Sequence, residues 1–134
     1  MKNNYMLLIS LIALTLTFGC DRASQPVATT SSNTAAGTVT FEFKTGDDVR
    51  RVEIQDVADG ATLESVLRSA AGVDVVISGS GLSAFVHQIG DKSTSSSEGW
   101  TFAIDGQWSE TGVGTTQLHP PTTVTWEFGE MKTP

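Results

Sequence analysis

Cysteine is almost absent from this sequence of 134 residues, because Cys20 is the only one. A single cysteine excludes an internal disulfide and a metal cluster built on cysteine. Lysine and arginine are also scarce, with eight of them against fifteen aspartates and glutamates, so the net charge is −7. Such a surface repels phosphate backbones, and we expect no nucleic-acid partner. The chain suffices for one domain with one core and is too short for a Rossmann enzyme or a TIM barrel.

The longest apolar run, residues 6–18, follows the positive charge of Lys2. It matches the central region of a signal peptide and falls short of the about 20 residues that a membrane-spanning helix needs. The run ends at Gly19-Cys20, which resembles the lipobox of bacterial lipoproteins. This resemblance implies a signal peptide over residues 1–19 and a lipidated Cys20 that anchors the protein to a membrane of the bacterial cell envelope. The alternative is that Cys20 has no role beyond the signal peptide.

Composition divides the remaining chain into two parts. Residues 20–37 contain mostly Ser, Thr, Ala and Pro and few large apolar side chains, which predicts a flexible tether. Residues 38–134 contain alternating apolar patterns, which predict one folded domain. Val39, Phe41 and Phe43 indicate a first strand, and residues 50–55 a second strand that pairs with it as a hairpin.

One short helix is predicted near residues 62–71. Leu63, Val66, Leu67 and Ala70 recur at helical spacing, and Gly72 is placed to end the helix. Further strands are predicted from the patterns at residues 73–77, 84–89, 100–104 and 124–128, with a tight turn at Asp105-Gly106 and a polar loop over residues 90–99. This order predicts an α+β fold, with a mixed or antiparallel sheet and one short packed helix.

Three stretches carry a family resemblance. They are residues 59–67 (DGATLESVL), residues 99–106 (GWTFAIDG), and residues 112–118 (GVGTTQL) with the closing strand VTWEF. Together they resemble the transcobalamin-like C-terminal domain, also called domain of unknown function 4430. The resemblance implies a β-grasp-like fold. Because this domain covers one face of the corrin in cobalamin carriers, it also implies that a corrinoid is a possible ligand.

The three tryptophans have different expected roles. Trp100 and Trp126 alternate with Phe102 and Phe128, which favours core packing. Trp108 follows a tight turn beside a polar loop, where it is either a lid on the core or a platform for a flat ligand. On the second interpretation the candidate ligand-binding residues are Trp108, Thr111, Val113 and Thr115, because they combine an aromatic surface with hydroxyls and backbone groups from loops.

The remaining chemistry-bearing residues do not form a recognisable active site. We interpret His87 as a half-buried structural residue, with a functional switch as the alternative, and His119 as a solvated loop residue. No serine lies in a Gly-x-Ser-x-Gly elbow, and no spacing indicates a metal site. We therefore expect no enzyme activity and no cofactor or metal.

These observations favour a membrane-anchored binding or interaction module with a small-molecule or envelope-protein partner. The second hypothesis is corrinoid binding, alone or within an uptake complex. The third is an envelope hydrolase.

Overall fold

The computed structural model describes residues 35–131. Cys20, the predicted signal peptide and most of the predicted tether therefore lie outside the described residues. Within residues 35–131, no helix is long and apolar enough to cross a membrane. The elements are β1 (Ala36–Thr45), β2 (Asp48–Ala58), β3 (Ala61–Thr62), α1 (Leu63–Ser69), β4 (Val75–Ser78), β5 (Phe85–Ile89), β6 (Lys92–Ser93), β7 (Glu98–Ile104), β8 (Gln107–Trp108), β9 (Gln117–Leu118) and β10 (Thr122–Glu130).

The largest sheet has five strands in the order β2-β1-β10-β7-β8. Its two central strands, β1 and β10, are parallel, with Phe41 opposite Val124, and every other neighbouring pair is antiparallel. Two smaller sheets are also present in the described residues: β4-β5-β6, and the short pair β3-β9. A mostly β structure with one short helix is consistent with the predicted α+β class.

Alternation along the strands gives the large sheet a covered face and an open face. The covered face carries the fully buried side chains of Val39, Phe41 and Val124, and Trp126 is 1% exposed there. Leu63 and Leu67 of α1 are also fully buried in this core. The predicted core residues Val52, Ile54, Ala70 and Ile104 are partly buried against it. The open face is defined by residues Thr40, Glu42, Thr101, Thr125 and Glu127, which are half-buried or exposed.

Helix α1 begins where the sequence predicts and ends earlier. Thr62 is its N-cap, because the Thr62 hydroxyl oxygen accepts a hydrogen bond from Ser65 N at 3.2 Å. The helix ends at Ser69 rather than near residue 71, since Ala70 is already extended. The predicted role of Gly72 as the residue that ends the helix is therefore wrong. Gly72 has a φ of 82° and lies in the turn that follows.

Two further predictions are corrected. The polar loop predicted over residues 90–99 contains strand β6 and the first residues of β7. His87 is exposed rather than half-buried, because β5 presents it on its outward side together with Phe85, with ring centroids 4.8 Å apart. In contrast, the turn at Asp105-Gly106 is confirmed. Both residues have positive φ, as a two-residue hairpin turn requires.

Candidate functional site

Trp108 is the most exposed aromatic side chain of the described residues, at 59%. The turn at Asp105-Gly106 returns the chain along β7 and pairs Trp108 with Ala103. Ala103 lies opposite Thr125, and Thr125 lies opposite Glu42, so Trp108 belongs to the same row as two residues of the open face. The structure therefore favours the platform interpretation of Trp108 over the lid, since a lid would be buried against the core.

A groove of about 620 Å³ lies beside this side chain. It is lined by Thr101, Trp108, Glu127, Gly129 and Glu130, and we call it the Trp108 groove. Thr101 and Glu127 are directly opposite each other on β7 and β10. Gly129 leaves its part of the groove open, since an added Cβ there would meet nothing within 4 Å. An aromatic face, two carboxylates and a hydroxyl suit a flat ligand that donates hydrogen bonds.

The other predicted ligand-binding residues do not line the Trp108 groove. Val113 is only 4% exposed and packs in the core, while its carbonyl accepts a hydrogen bond from Glu64 N at 2.9 Å. The prediction that Val113 offers a surface to a ligand is therefore not supported. Thr111 and Thr115 are exposed, but their hydroxyls bond within the loop, to Thr116 Oγ1 at 2.9 Å and to the Gly112 carbonyl at 3.1 Å.

Sequence reasoning missed Thr101, Glu127, Gly129 and Glu130. The strand alternation places Thr101 and Glu127 away from the core, and that signal was available in the sequence. The missing information was the pairing of β7 with β10, which joins residues 26 positions apart in the chain. Without that pairing, proximity in the sequence predicts that the loop after Trp108 is its neighbour in space.

A second depression, of about 540 Å³, lies between the β1–β2 turn and the β5–β6 turn. Its rim carries two carboxylates, Asp48 and Asp91, and two cations, Arg50 and Lys92. Because equal numbers of opposite charges face it, this depression does not favour a ligand of either charge.

Glu64, in the first turn of α1, holds two loops at once. Its backbone N–H bonds the Val113 carbonyl, and its carboxylate accepts a hydrogen bond from Gly81 N at 2.9 Å. Arg68 Nε donates to the other carboxylate oxygen at 2.9 Å. The Gly81 hydrogen bond, followed by the Arg68 contact, lowers the pKa of Glu64 below its usual value. The loop 109–116 and the turn at residues 81–83 are thus both fixed to the helix.

Two histidine contacts are the nearest approach to catalytic geometry in the described residues. Ser78 Oγ lies 2.7 Å from His87 Nε2, which is the distance of a nucleophile from its base. No hydrogen bond from a third group to His87 Nδ1 is present in residues 35–131. His119 Nδ1 lies 2.7 Å from Asp59 Oδ1, and both side chains are exposed. Between residues 35 and 131, no group of three or more His, Cys, Asp or Glu residues could hold a metal ion.

Comparison with known proteins places these features in a family. The sequence model of the family described as "Domain of unknown function (DUF4430)" matches residues 60–130. A crystal structure from Ruminococcus gnavus, described as that of a candidate metal-binding protein, superposes with a TM-score of 0.55 and 21% sequence identity. The match covers 72% of this chain and 98% of that one, and it shows a shared fold. No curated protein matches the sequence.

Proposed function

The chain belongs to the DUF4430 family, and we propose that it is a non-catalytic binding module that a bacterial lipoprotein presents in the cell envelope. The observation that carries this proposal is the Trp108 groove. Trp108 is 59% exposed and therefore contributes much less to core packing than a buried tryptophan does. Exposed aromatic side chains beside polar groups are typical of binding sites.

A ligand screen with a matched pair of variants tests the binding function. We expect a ligand at about 100 times its dissociation constant to stabilise the protein by about 2.7 kcal/mol, measured as a shift in melting temperature. Trp108→Ala should abolish this shift. Leu82→Ala is the control, because Leu82 is 95% exposed and does not line the groove. If a ligand stabilises Trp108→Ala as much as the wild type, the groove is not the binding site.

The proposed attachment to a membrane rests on the sequence around Cys20. The apolar run and Gly19-Cys20 support it. Metabolic labelling with a fatty acid should mark the wild-type protein and not Cys20→Ser, and the variant should leave the membrane fraction or remain unprocessed. Ser24→Ala, a nearby change outside the motif, should retain the label. An unlabelled mature wild-type protein would contradict the anchor.

We further propose that the domain is a transcobalamin-like β-grasp. Three features support this assignment: the parallel pair β1–β10 inside the sheet, the antiparallel hairpins at both edges, and the helix α1 after the first hairpin. An experimental structure in which β1 and β10 were not parallel neighbours would contradict it.

Corrinoid binding is the second candidate function, and the exposed ring of Trp108 on an open sheet face is the observation that favours it. A corrin is a broad plate rimmed with amides. The carboxylates of Glu127 and Glu130 and the hydroxyl of Thr101 would accept hydrogen bonds from the amide N–H groups. One domain covers only one face of the plate, so we expect a dissociation constant of about a micromolar or weaker. Calorimetric titration of cobinamide and cobalamin, with Trp108→Ala as control, tests this. No heat at millimolar ligand would leave the general binding module as the better account.

The proposal includes no catalysis and no metal. Ser78 and His87 are both exposed on the strands β4 and β5, and among residues 35–131 no third group forms a hydrogen bond with His87 Nδ1. A fluorophosphonate probe should therefore not label Ser78. Labelling that Ser78→Ala abolishes would instead indicate a hydrolase. The Ruminococcus gnavus neighbour is described as a candidate metal-binding protein, whereas among residues 35–131 of this chain no group of three or more His, Cys, Asp or Glu residues could hold a metal ion.

A further inference from the structure

The two edges of the five-stranded sheet differ greatly in length. Strand β8 forms one edge and has only two residues, whereas β2 forms the other and has 11 residues. Within residues 35–131, no backbone hydrogen bond joins residues 49–55 to any element other than β1. Natural sheets usually shorten or cover such an edge, because its free N–H and C=O groups can pair with another strand. The outer edge of β2 is therefore where this sheet can be extended.

The accessible part of β2 is a regular segment of seven residues, 49–55. All of them are exposed or half-buried. Asp56 has a φ of 57°, and the register with β1 shifts between Ile54 and Val57, so the regular strand geometry ends before Asp56. Arg51 lies opposite Glu42 of β1, so Arg51 and Glu53 share the open face, while Val52 faces the covered side.

Two copies of this segment can pair antiparallel around a two-fold axis perpendicular to the sheet. Such an axis keeps the two open faces on the same side, so one residue at the axis meets its own copy. Charges on an edge strand usually oppose pairing, and an axis at Arg51 or Glu53 would place like charges directly opposite each other. An axis at Val52, the centre of the segment, instead places Arg51 of each copy opposite Glu53 of the other.

The charges on the open face suit this register. Arg51 Nη2 lies 2.7 Å from Glu42 Oε1, yet the arginine side chain is 70% exposed. Its guanidinium has five N–H donors, so it can bind a second carboxylate as well. Glu53 is exposed and forms no ion pair within residues 35–131. The carboxylate that Arg51 can accommodate is thus the one that this register brings to it.

We propose that β2 binds a second copy of this chain, by antiparallel pairing of residues 49–55 around Val52, and that two five-stranded sheets become one continuous sheet. Trp108 is on the opposite edge strand, β8, so the pairing leaves the Trp108 groove free and presents two such grooves on one open face. The association does not depend on what the groove binds. A single strand pair is a small interface, so we expect a weak, concentration-dependent dimer.

A cysteine at the symmetry axis tests the register. In the chain carrying Cys20→Ser, an introduced cysteine is the only one. Val52→Cys places two thiols directly opposite each other, with Cα atoms about 4.5–5.5 Å apart, which a disulfide can span. Val49→Cys is the matched control, because its two copies would lie about 20 Å apart. We expect mild oxidation to link Val52→Cys into a dimer and to leave Val49→Cys monomeric on a non-reducing gel. Equal linkage of both variants, or of neither, would overturn the proposal.

Charge reversal tests the contacts, measured by sedimentation equilibrium of the full chain carrying Cys20→Ser, in which no acyl chain contributes to association. Glu53→Arg turns both opposite-charge pairs into like-charge pairs and should weaken the dimer by at least about fivefold. Glu110→Arg makes the same change of net charge at an exposed loop residue and should have no effect. A mixture of Arg51→Glu with Glu53→Arg should recover association, because every cross-strand pair is then opposite in charge.

Three results of the sedimentation experiment would each overturn the proposal. They are a wild type that stays monomeric at every concentration, an equal effect of Glu53→Arg and Glu110→Arg, and no recovery in the mixture. An edge that is covered by residues 1–34 of the same chain would give the first result. The cysteine test and Glu53→Arg remain informative if Arg51→Glu does not fold, since Glu53→Arg leaves the contact between Arg51 and Glu42 in place.

Discussion

The two faces of the large sheet are built from the same strands and have opposite properties. On β10, Val124 and Trp126 are buried on the covered face, whereas Thr125 and Glu127 alternate with them on the open face. Two tryptophans show the contrast most clearly. Trp126 is 1% exposed, and its Nε1 has no hydrogen-bond partner among residues 35–131, whereas Trp108 is 59% exposed beside carboxylates.

On the proposed function, this difference separates stability from recognition in the molecule. The covered face holds the aromatic and aliphatic core, so most substitutions there change the free energy of unfolding. The open face contributes polar groups and the exposed Trp108 side chain, so we expect substitutions there to change contacts with other molecules rather than stability.

The largest effect on the free energy of unfolding is expected from a substitution in the core. Phe41→Ala removes a fully buried ring on β1 and should lower the free energy of unfolding by about 3–5 kcal/mol. Trp108→Ala removes a larger ring from the open face and should change it by no more than about 0.5 kcal/mol. Urea denaturation measures both. If the two variants were destabilised equally, the covered face and the open face would not differ in their contribution to stability.

A smaller effect is expected where the loops close over the covered side. Gly114→Ala would bring its Cβ to 2.0 Å from the Gly81 carbonyl oxygen, and the resulting backbone shift should cost about 1–3 kcal/mol. Gly112→Ala is the matched control in the same loop, since its Cβ would lie 4.0 Å from the Ala84 carbonyl oxygen. Denaturation midpoints that fall equally in both variants would indicate that the close approach of the loops is not the cause.

Much of the covered face could be predicted from the sequence. Val39, Phe41 and Phe43 alternate, and Leu63, Val66 and Leu67 follow helical spacing, because period-2 and period-3.6 patterns report which side chains face a core. The turn at Asp105-Gly106 was equally readable, since few residues adopt positive φ without strain. The strands β3 and β9 were not predicted. Each has two residues, and their pairing of Ala61 with Leu118 depends on tertiary contacts.

The candidate sites were harder to predict for the same physical reason. Trp108 was recognised, but its neighbours Thr101 and Glu127 come from strands that only the β7–β10 pairing brings to it. The sequence predicts that Val113 offers loop backbone groups to a ligand beside Trp108, yet its carbonyl accepts a hydrogen bond from Glu64 N and is held against the helix. Local patterns report exposure along one element. They do not report which elements meet.

We expect acid to lower the free energy of unfolding through the protonation of Glu64, which holds two loops on the covered side of the sheet. The pKa of Glu64 is lowered in the folded protein, so the unfolded state binds more protons as the pH falls. The stabilisation is therefore present at pH values above the ordinary Glu pKa and is lost as the pH falls through the lower pKa of the folded state. Glu64→Gln should flatten this acid dependence of the free energy of unfolding. Glu53→Gln, on the exposed edge strand β2, should retain it; an equal flattening in both variants would show that the Gly81 and Arg68 contacts are not responsible.

The smallest expected effect comes from the ion pair on the open side. Arg51 Nη2 lies 2.7 Å from Glu42 Oε1, but the arginine side chain is 70% exposed. Water and salt screen such a pair, so Arg51→Ala should cost between about 0 and 1 kcal/mol, and less at high salt. Denaturation at two salt concentrations measures it. A larger, salt-independent loss would mean that Arg51 supports the sheet by packing, and the open face would then contribute to stability as the covered face does.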